Sequence, residues 1–143
     1  MIVPAYTLAE LLPLMRAHGL RPVAADIEPE GFNVDVKSVE AHITPNTKAI
    51  LATHLFGAPC DIEALCALAS ARGLHVVEDC AHGLGATVNG RKAGTFGTAA
   101  FFSFEVNKAL PTYGGGMVVT RMRAPARRWP RRSTAVRAWS GRR

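Results

Sequence analysis

The sequence lacks a long apolar run, although 48% of its 143 residues are hydrophobic. Its apolar stretches fall far short of the roughly 20 residues that a helix needs to cross a bilayer. Its first five residues contain no basic segment of the kind that begins a secretory signal. We therefore expect a cytoplasmic protein of about one domain, with no membrane contact.

Cysteine is also scarce. Cys60, Cys66 and Cys80 are the only ones, an odd number whose spacing matches no zinc-binding pattern. Reduced thiols are the simplest interpretation. Cys66 falls on the apolar face of a predicted helix, where a cysteine is typically a small core residue.

Acidic residues are missing from the C-terminal stretch. No Asp or Glu follows Thr120, whereas nine of the 17 basic residues are arginines in that stretch. Residues 1–120 hold eight basic and eleven acidic residues, a net charge of −3, so residues 121–143 account for the overall charge of +6. We predict that this tail is disordered. Its richness in Arg, Ala, Pro and Trp is typical of out-of-frame translation of GC-rich DNA, and we interpret it as derived from a frameshift.

Residues 1–120 alternate between strand and helix patterns. Helical patterns occur near residues 8–15, 35–42 and 62–69, and apolar strand patterns at residues 2–5, 22–27, 48–55, 74–77, 98–104 and 116–120. Strands separated by helices predict right-handed parallel crossovers. The glycine-rich approach to the last strand suggests that at least one strand is antiparallel. The predicted fold class is α/β, a mostly parallel sheet with flanking helices.

Local signals place the ends of several elements. Thr7 followed by Glu10 resembles a capping box at the start of the first helix, although Pro13 conflicts with a regular helix interior. Asp61 is expected to cap the third helix. Asn89 and Gly90 predict a tight hairpin turn of type I′.

Four polar residues lie at or after the ends of apolar strands, where α/β sheets bind ligands. Asp79 could pair with a protonated ring nitrogen, His82 could bond a ligand oxygen, and Ser103 could bond a phosphate. Lys108, followed by glycines 114–116, could form an imine. Together they suggest pyridoxal phosphate (PLP), with no metal. Taken singly, each also fits an ordinary role as a helix cap or as a surface, core or strand-end residue.

An ordered set of short strings is more specific than any of these residues. The strings are IVPAYT (2–7), RPV (21–23), ITPNTKAI (43–50), HLFG (54–57), EDCAH (78–82), GTFG (94–97) and SF, K and GGGM within 103–117. The set resembles the DegT/DnrJ/EryC1/StrS sugar aminotransferases. The resemblance covers residues 1–120 and implies part of the large domain of the aspartate aminotransferase (type I) fold.

The resemblance implies a role for each candidate. Lys108 matches the lysine that forms the internal aldimine with PLP and then moves a proton between the two carbons of the ketimine, and Asp79 matches the acid on the pyridine nitrogen. His82 matches a Gln-or-His position that contacts the cofactor, and Ser103 matches the serine that binds its phosphate. The implied reaction passes an amino group from an amino acid, usually glutamate, to a nucleotide-linked keto sugar. Relatives of this kind act as homodimers.

Three departures from the family pattern stand out. Leu8 occupies the place of an aromatic residue that stacks on the cofactor, so either Tyr6 compensates or stacking is weak. The family's Gly-Thr phosphate loop would precede Met1. Its small C-terminal domain would follow Thr120. We therefore expect a chain truncated at both ends.

Other functions remain open from the sequence. The chain could be a non-catalytic fragment. It could be a PLP-dependent sugar dehydratase, although members of that kind carry His in place of Lys108. It could also bind nucleic acid through its arginine-rich tail, since arginines neutralise phosphates, but that tail contains no base-reading motif.

Overall fold

The computed structural model describes residues 1–122. The prediction of a disordered tail from residue 121 lies almost wholly outside the described residues. The helices are α1 (Leu11–Ala17), α2 (Val36–Ala41) and α3 (Ile62–Ala71). The strands are β1 (Ile2–Pro4), β2 (Val23–Ala25), β3 (Ala49–Thr53), β4 (His75–Asp79), β5 (Thr87–Val88), β6 (Arg91–Lys92), β7 (Ala99–Ser103) and β8 (Gly116–Thr120).

Six strands form one sheet in the order β2-β1-β3-β4-β7-β8. All neighbouring pairs are parallel except β7 and β8, which are antiparallel. Both the mostly parallel sheet and the antiparallel last strand are therefore confirmed. The small hairpin β5–β6 turns at Asn89 and Gly90, which both have positive φ angles (49° and 78°), as a type I′ turn requires.

The core lies between the sheet and α3. Ile50, Ala52 and Val76 share one face of the sheet and belong to the same buried cluster as Ile62 and Leu65 of α3. Burying an aliphatic side chain of this size contributes about 1.5–3 kcal/mol. Because a buried parallel strand is covered on both faces, β3 is apolar along nearly its whole length and shows no alternation.

The predicted start of the first helix is wrong. Thr7 does not cap it: α1 begins at Leu11, and Glu10 precedes it without a side-chain capping bond. Pro13 explains the shift. In the first turn of a helix the backbone N–H groups have no partner in the helix, so the missing N–H of proline costs nothing there.

The two aspartate caps are regular. Asp61 accepts a hydrogen bond from the N–H of Ala64 at 3.1 Å, which confirms its predicted role at the start of α3. Asp35 does the same for the N–H of Lys37 at the start of α2. Each cap satisfies one of the unpaired N–H groups at a helix start.

The cysteines are free thiols. Cys60 and Cys80 are buried, and Cys66 is half-buried against the α3 cluster, as the core interpretation requires. Among residues 1–122, no helix is long and apolar enough to span a bilayer.

A fully buried carboxylate, Glu78, ties three segments together. Its Oε1 accepts the N–H groups of Phe96 and Gly97 at 2.8 and 2.6 Å. Its Oε2 accepts the N–H of Gly94 at 2.7 Å and bonds Nε2 of His54 at 3.2 Å. Both residues of the Glu78–His54 pair are 0% exposed.

The tautomer of His54 follows from its second ring nitrogen. The N–H of Cys60 points at Nδ1 over 3.3 Å, so Nδ1 accepts and Nε2 carries the proton given to Glu78. Burial acts to raise the pKa of Glu78. The bonds from His54 and the three backbone N–H groups outweigh burial and hold that pKa below its usual value.

We expect Glu78→Gln to destabilise the chain by about 3 kcal/mol or more at neutral pH, because the new amide would face backbone donors with its own N–H groups. In the wild type the depressed pKa adds stability above about pH 4.3, and this is lost as pH falls through the folded-state value. The variant should lack that acid-dependent loss. Urea unfolding of both chains across pH measures the difference.

Glu40→Gln is the matched control. Glu40 pairs with Arg72 at 2.7 Å, but both side chains are about half exposed. An exposed pair of this kind contributes roughly 0–1 kcal/mol. If the two variants unfold at the same urea concentration, the structural role assigned to Glu78 is wrong.

Candidate functional site

The candidate residues gather at one edge of the sheet. Asp79 ends β4, and Ser103 ends the neighbouring parallel strand β7. Parallel strands present their carboxyl ends at the same edge, where α/β folds bind ligands. Lys108 and His82 lie in the connections that leave these two strands.

Two of the candidates share an open hollow of about 330 Å³. It is lined by Phe56, Ala81, His82, Asn107, Lys108 and Ala109. Lys108 reaches it from the connection between β7 and β8, where its N–H bonds the carbonyl of Glu105 at 3.0 Å. An amine and an imidazole therefore face one cavity.

Asp79 is 6% exposed and lies outside the lining of the hollow, near enough for His82 and Lys108 to act on its carboxyl. Burial raises the pKa of its carboxyl above the usual value. The N–H of Ala81, which bonds Oδ1 at 3.0 Å, opposes this shift. The nearby charges of His82, His54 and Lys108 oppose it further. A carboxylate in this position gains from a cationic partner.

His82 is held by the turn that follows β3. The N–H of Phe56 points at Nδ1 of His82 over 3.3 Å. The two rings stack, with centroids 5.9 Å apart and planes 10° apart. Since Nδ1 accepts that bond, the neutral imidazole carries its proton on Nε2, which is left for a ligand.

Phe56 reaches His82 through an uncommon backbone conformation. It lies in the 3-10 turn Leu55–Gly57 with φ 53° and ψ 21°, a left-handed conformation that costs a bulky residue about 1–2 kcal/mol. Asn33 holds the turn on both sides. Its Oδ1 accepts the N–H of Leu55, and its Nδ2 donates to the carbonyl of Ala58, both at 3.1 Å. Strain kept by such restraints is typical of functional sites.

Ser103 does not line the hollow. Its hydroxyl accepts only a long, 3.5 Å contact from the N–H of Glu105. The glycine run nearby has a structural cause at Gly116, where a Cβ atom would lie 2.4 Å from the carbonyl oxygen of Phe102. Close approach of β8 to β7 therefore requires that glycine.

Sequence reasoning missed the roles of Phe32 and Phe56, and it named Tyr6 only as a possible replacement for the stacking residue. Tyr6, Phe32 and Phe56 form one cluster with ring centroids 5.3–6.3 Å apart, and all three are about half exposed. Leu8, at the family's usual stacking position, is 62% exposed. The HLFG string contains Phe56, but nothing in its letters shows that the ring meets His82.

A second polar group, of His54, Glu78 and Cys80, has ligand atoms within 4.8 Å of one another. It does not suit a metal, because each oxygen of Glu78 already accepts two hydrogen bonds. Burial raises the pKa of Cys80, and it raises the pKa of Cys60 to about 12. These thiols stay protonated, so the group is structural.

Comparison with known proteins identifies the family of this chain. Residues 1–129 match the model of the DegT/DnrJ/EryC1/StrS aminotransferase family. Over 119 residues the chain is 43% identical to GDP-perosamine synthase of Vibrio cholerae, covering 83% of this chain and 32% of that protein. Over 103 residues it is 52% identical to dTDP-3-amino-3,4,6-trideoxy-alpha-D-glucose transaminase of Micromonospora megalomicea subsp. nigra, covering 71% and 28%.

The fold also matches that of a solved aminotransferase structure. The crystal structure of DesI in the presence of its TDP-sugar product superposes with a TM-score of 0.77 at 42% identity, over 82% of this chain and 30% of that one. The chain spans about a third of the length of the relatives it matches. Enzymes of this family depend on PLP. The chain belongs to the DegT/DnrJ/EryC1/StrS aminotransferase family.

Proposed function

We propose that the chain carries the lysine-bearing part of a PLP-dependent sugar aminotransferase. The reaction moves an amino group from an amino acid, glutamate, to a keto group on a nucleotide-linked sugar. The observation that carries the proposal is the placement of Lys108 and His82 on one hollow, next to the buried carboxyl of Asp79.

The residues at the hollow fit the ring of PLP. The amine of Lys108 can bond the cofactor's aldehyde. The N–H of Ala81 bonds only Oδ1 of Asp79, so the other carboxylate oxygen can pair with the ring nitrogen. An imidazole with a free Nε2–H can donate to the phenolic oxygen. The phosphate end is less complete, since Ser103 is the one candidate for it and lies outside the lining.

PLP, when bound, supplies a protonated ring that draws electrons from the substrate carbon. The chain's own groups would direct that chemistry. Asp79 would keep the ring nitrogen protonated. Lys108 would hold the cofactor through Nζ and, once released, would accept a proton from the amino-acid carbon and, in the second half of the reaction, donate one to the sugar carbon. His82 would fix the ring's orientation.

The names of the relatives support the proposed substrate class. GDP-perosamine synthase and the dTDP-sugar transaminase are named for nucleotide-linked sugars, and DesI was crystallised with a TDP-sugar product. Lys108 favours amino transfer over the dehydratase alternative, whose members carry histidine at that position. We further propose a cytoplasmic homodimer as the working form.

We expect Lys108→Ala to abolish the visible absorbance that the full chain develops with PLP, because among residues 1–122 no other lysine lines the hollow. Borohydride reduction followed by peptide mass spectrometry should locate the label on Lys108. Lys92→Ala is the matched control, since Lys92 is an exposed lysine of β6 and should leave both readouts unchanged. Equal spectra for wild type and Lys108→Ala would remove the proposal.

We expect Phe56→Gly to weaken PLP binding about three- to tenfold, because it removes the ring that stacks on His82 and holds the imidazole in the hollow. That factor corresponds to the loss of one stacked ring contact. Glycine adopts the left-handed conformation freely, so the backbone strain is relieved and the unfolding free energy should fall little. PLP titration and urea unfolding measure the two effects. Phe32→Ala, in the same aromatic cluster but without a contact to His82, should bind PLP as the wild type does, and a similar loss there would contradict the role of Phe56.

A further inference from the structure

One buried side-chain oxygen in the part of the chain that the structure describes has no hydrogen-bond partner. It is Oγ1 of Thr53, a residue 5% exposed. A buried hydroxyl without a partner is costly, and native proteins seldom keep one. Valine has the same shape and avoids this cost. Packing alone therefore does not explain why this position carries a hydroxyl group.

Its position supplies a partner. Thr53 ends β3, and its paired residue on the parallel strand β4 is Asp79. Side chains alternate between the faces of a strand, so paired residues share a face. The residues next to them show the alternation: His54, which follows Thr53, and Glu78, which precedes Asp79, meet on the opposite face at 3.2 Å.

Two polar pairs therefore lie back to back at the end of the sheet. The Glu78–His54 pair is closed, with every carboxylate oxygen bonded. The Thr53–Asp79 pair is open, because within residues 1–122 the Asp79 carboxyl accepts one hydrogen bond, from the N–H of Ala81. A hydroxyl and an under-bonded carboxylate face the same side.

We propose that Thr53 is a positioning residue for Asp79. Its hydroxyl turns to donate a hydrogen bond to the Asp79 carboxylate when that group is ionised opposite a cationic ring nitrogen in the hollow. The inference rests on the proposed cofactor, but the coupling between the two side chains exists without it.

Three basic groups act electrostatically on Asp79. They are His54, from the end of β3 on the opposite face of the sheet, His82, from the turn after β4, and Lys108, from the β7–β8 connection. Burial raises the pKa of Asp79, and these charges lower it only in part. A further hydrogen bond to the charged form would lower it again.

The test uses the cofactor-free full chain, with the Asp79 carboxyl followed by ¹³C NMR across pH. We expect Thr53→Val to raise the Asp79 pKa by about one pH unit, because the ionised form loses a donor. Thr53→Ser keeps the hydroxyl and should leave the pKa near the wild-type value. PLP affinity of Thr53→Val should fall about tenfold, the same factor.

Thr47→Val is the matched control. Thr47 is also buried, at 8% exposure, but its hydroxyl already accepts the N–H of Thr44 at 3.0 Å. Removing that hydroxyl should lower stability and leave the Asp79 pKa unchanged.

Stability gives a second readout with a defined sign. Thr53→Val should be more stable than wild type at low pH, since it removes an unpaired hydroxyl. A carboxyl with a raised folded-state pKa adds stability that is lost as pH rises through that value. The loss is larger in the variant, so its advantage should shrink through the titration of Asp79.

An unchanged Asp79 pKa in Thr53→Val would overturn the inference, and so would an equal rise in Thr53→Ser. These outcomes are separate from those of the cofactor. A chain that shows the expected pKa rise yet binds no PLP would support the coupling and refute the proposed function.

Discussion

The four hydrogen bonds on the Glu78 carboxylate are the constraint on which the site depends. They join the end of β4 to the 94–97 loop and, through His54, to the end of β3. A buried charge with this many donors fixes its partners closely, because any displacement leaves a donor or a charge without a partner. The segments that carry Phe56, Asp79 and His82 all begin next to this hydrogen-bonded group.

Because side chains alternate along β4, fixing Glu78 also fixes the face on which Asp79 lies. With Glu78 fixed on the α3 face, Asp79 must lie on the other face, beside the hollow. The backbone reinforces this, since the N–H of His54 donates to the carbonyl of Asp79 at 3.0 Å. A Cβ atom on Gly83 would come within 3.0 Å of the His54 side chain, so the turn bearing His82 packs directly on the same histidine. Asp79 and the turn that carries His82 are thus both positioned by contacts with the buried His54.

The sequence predicted those parts of the molecule that depend on local chemistry. Apolar runs located the strands of the main sheet, Asp61 located a helix start, and Asn89-Gly90 located a hairpin, because each signal acts within a few residues. Thr7 failed because two local signals competed, and the proline decided where the first turn could form. Lys108 and His82 were found from motifs, and the structure places them on one hollow. Ser103 comes from the same motifs and, like Asp79, lies outside the lining, so its contact with a cofactor stays a prediction.

What the sequence could not show was set by residues far apart in the chain. Phe56 meets His82 only because Asn33, more than twenty residues earlier, holds the turn in a left-handed conformation. The relation between Thr53 and Asp79 depends on strand register, which no short pattern of residues encodes. Both features depend on contacts between residues that are more than twenty positions apart in the sequence. Shared motifs therefore identify the reaction class, whereas the tuning of Asp79 and His82 depends on long-range packing and can differ between relatives that carry the same motifs.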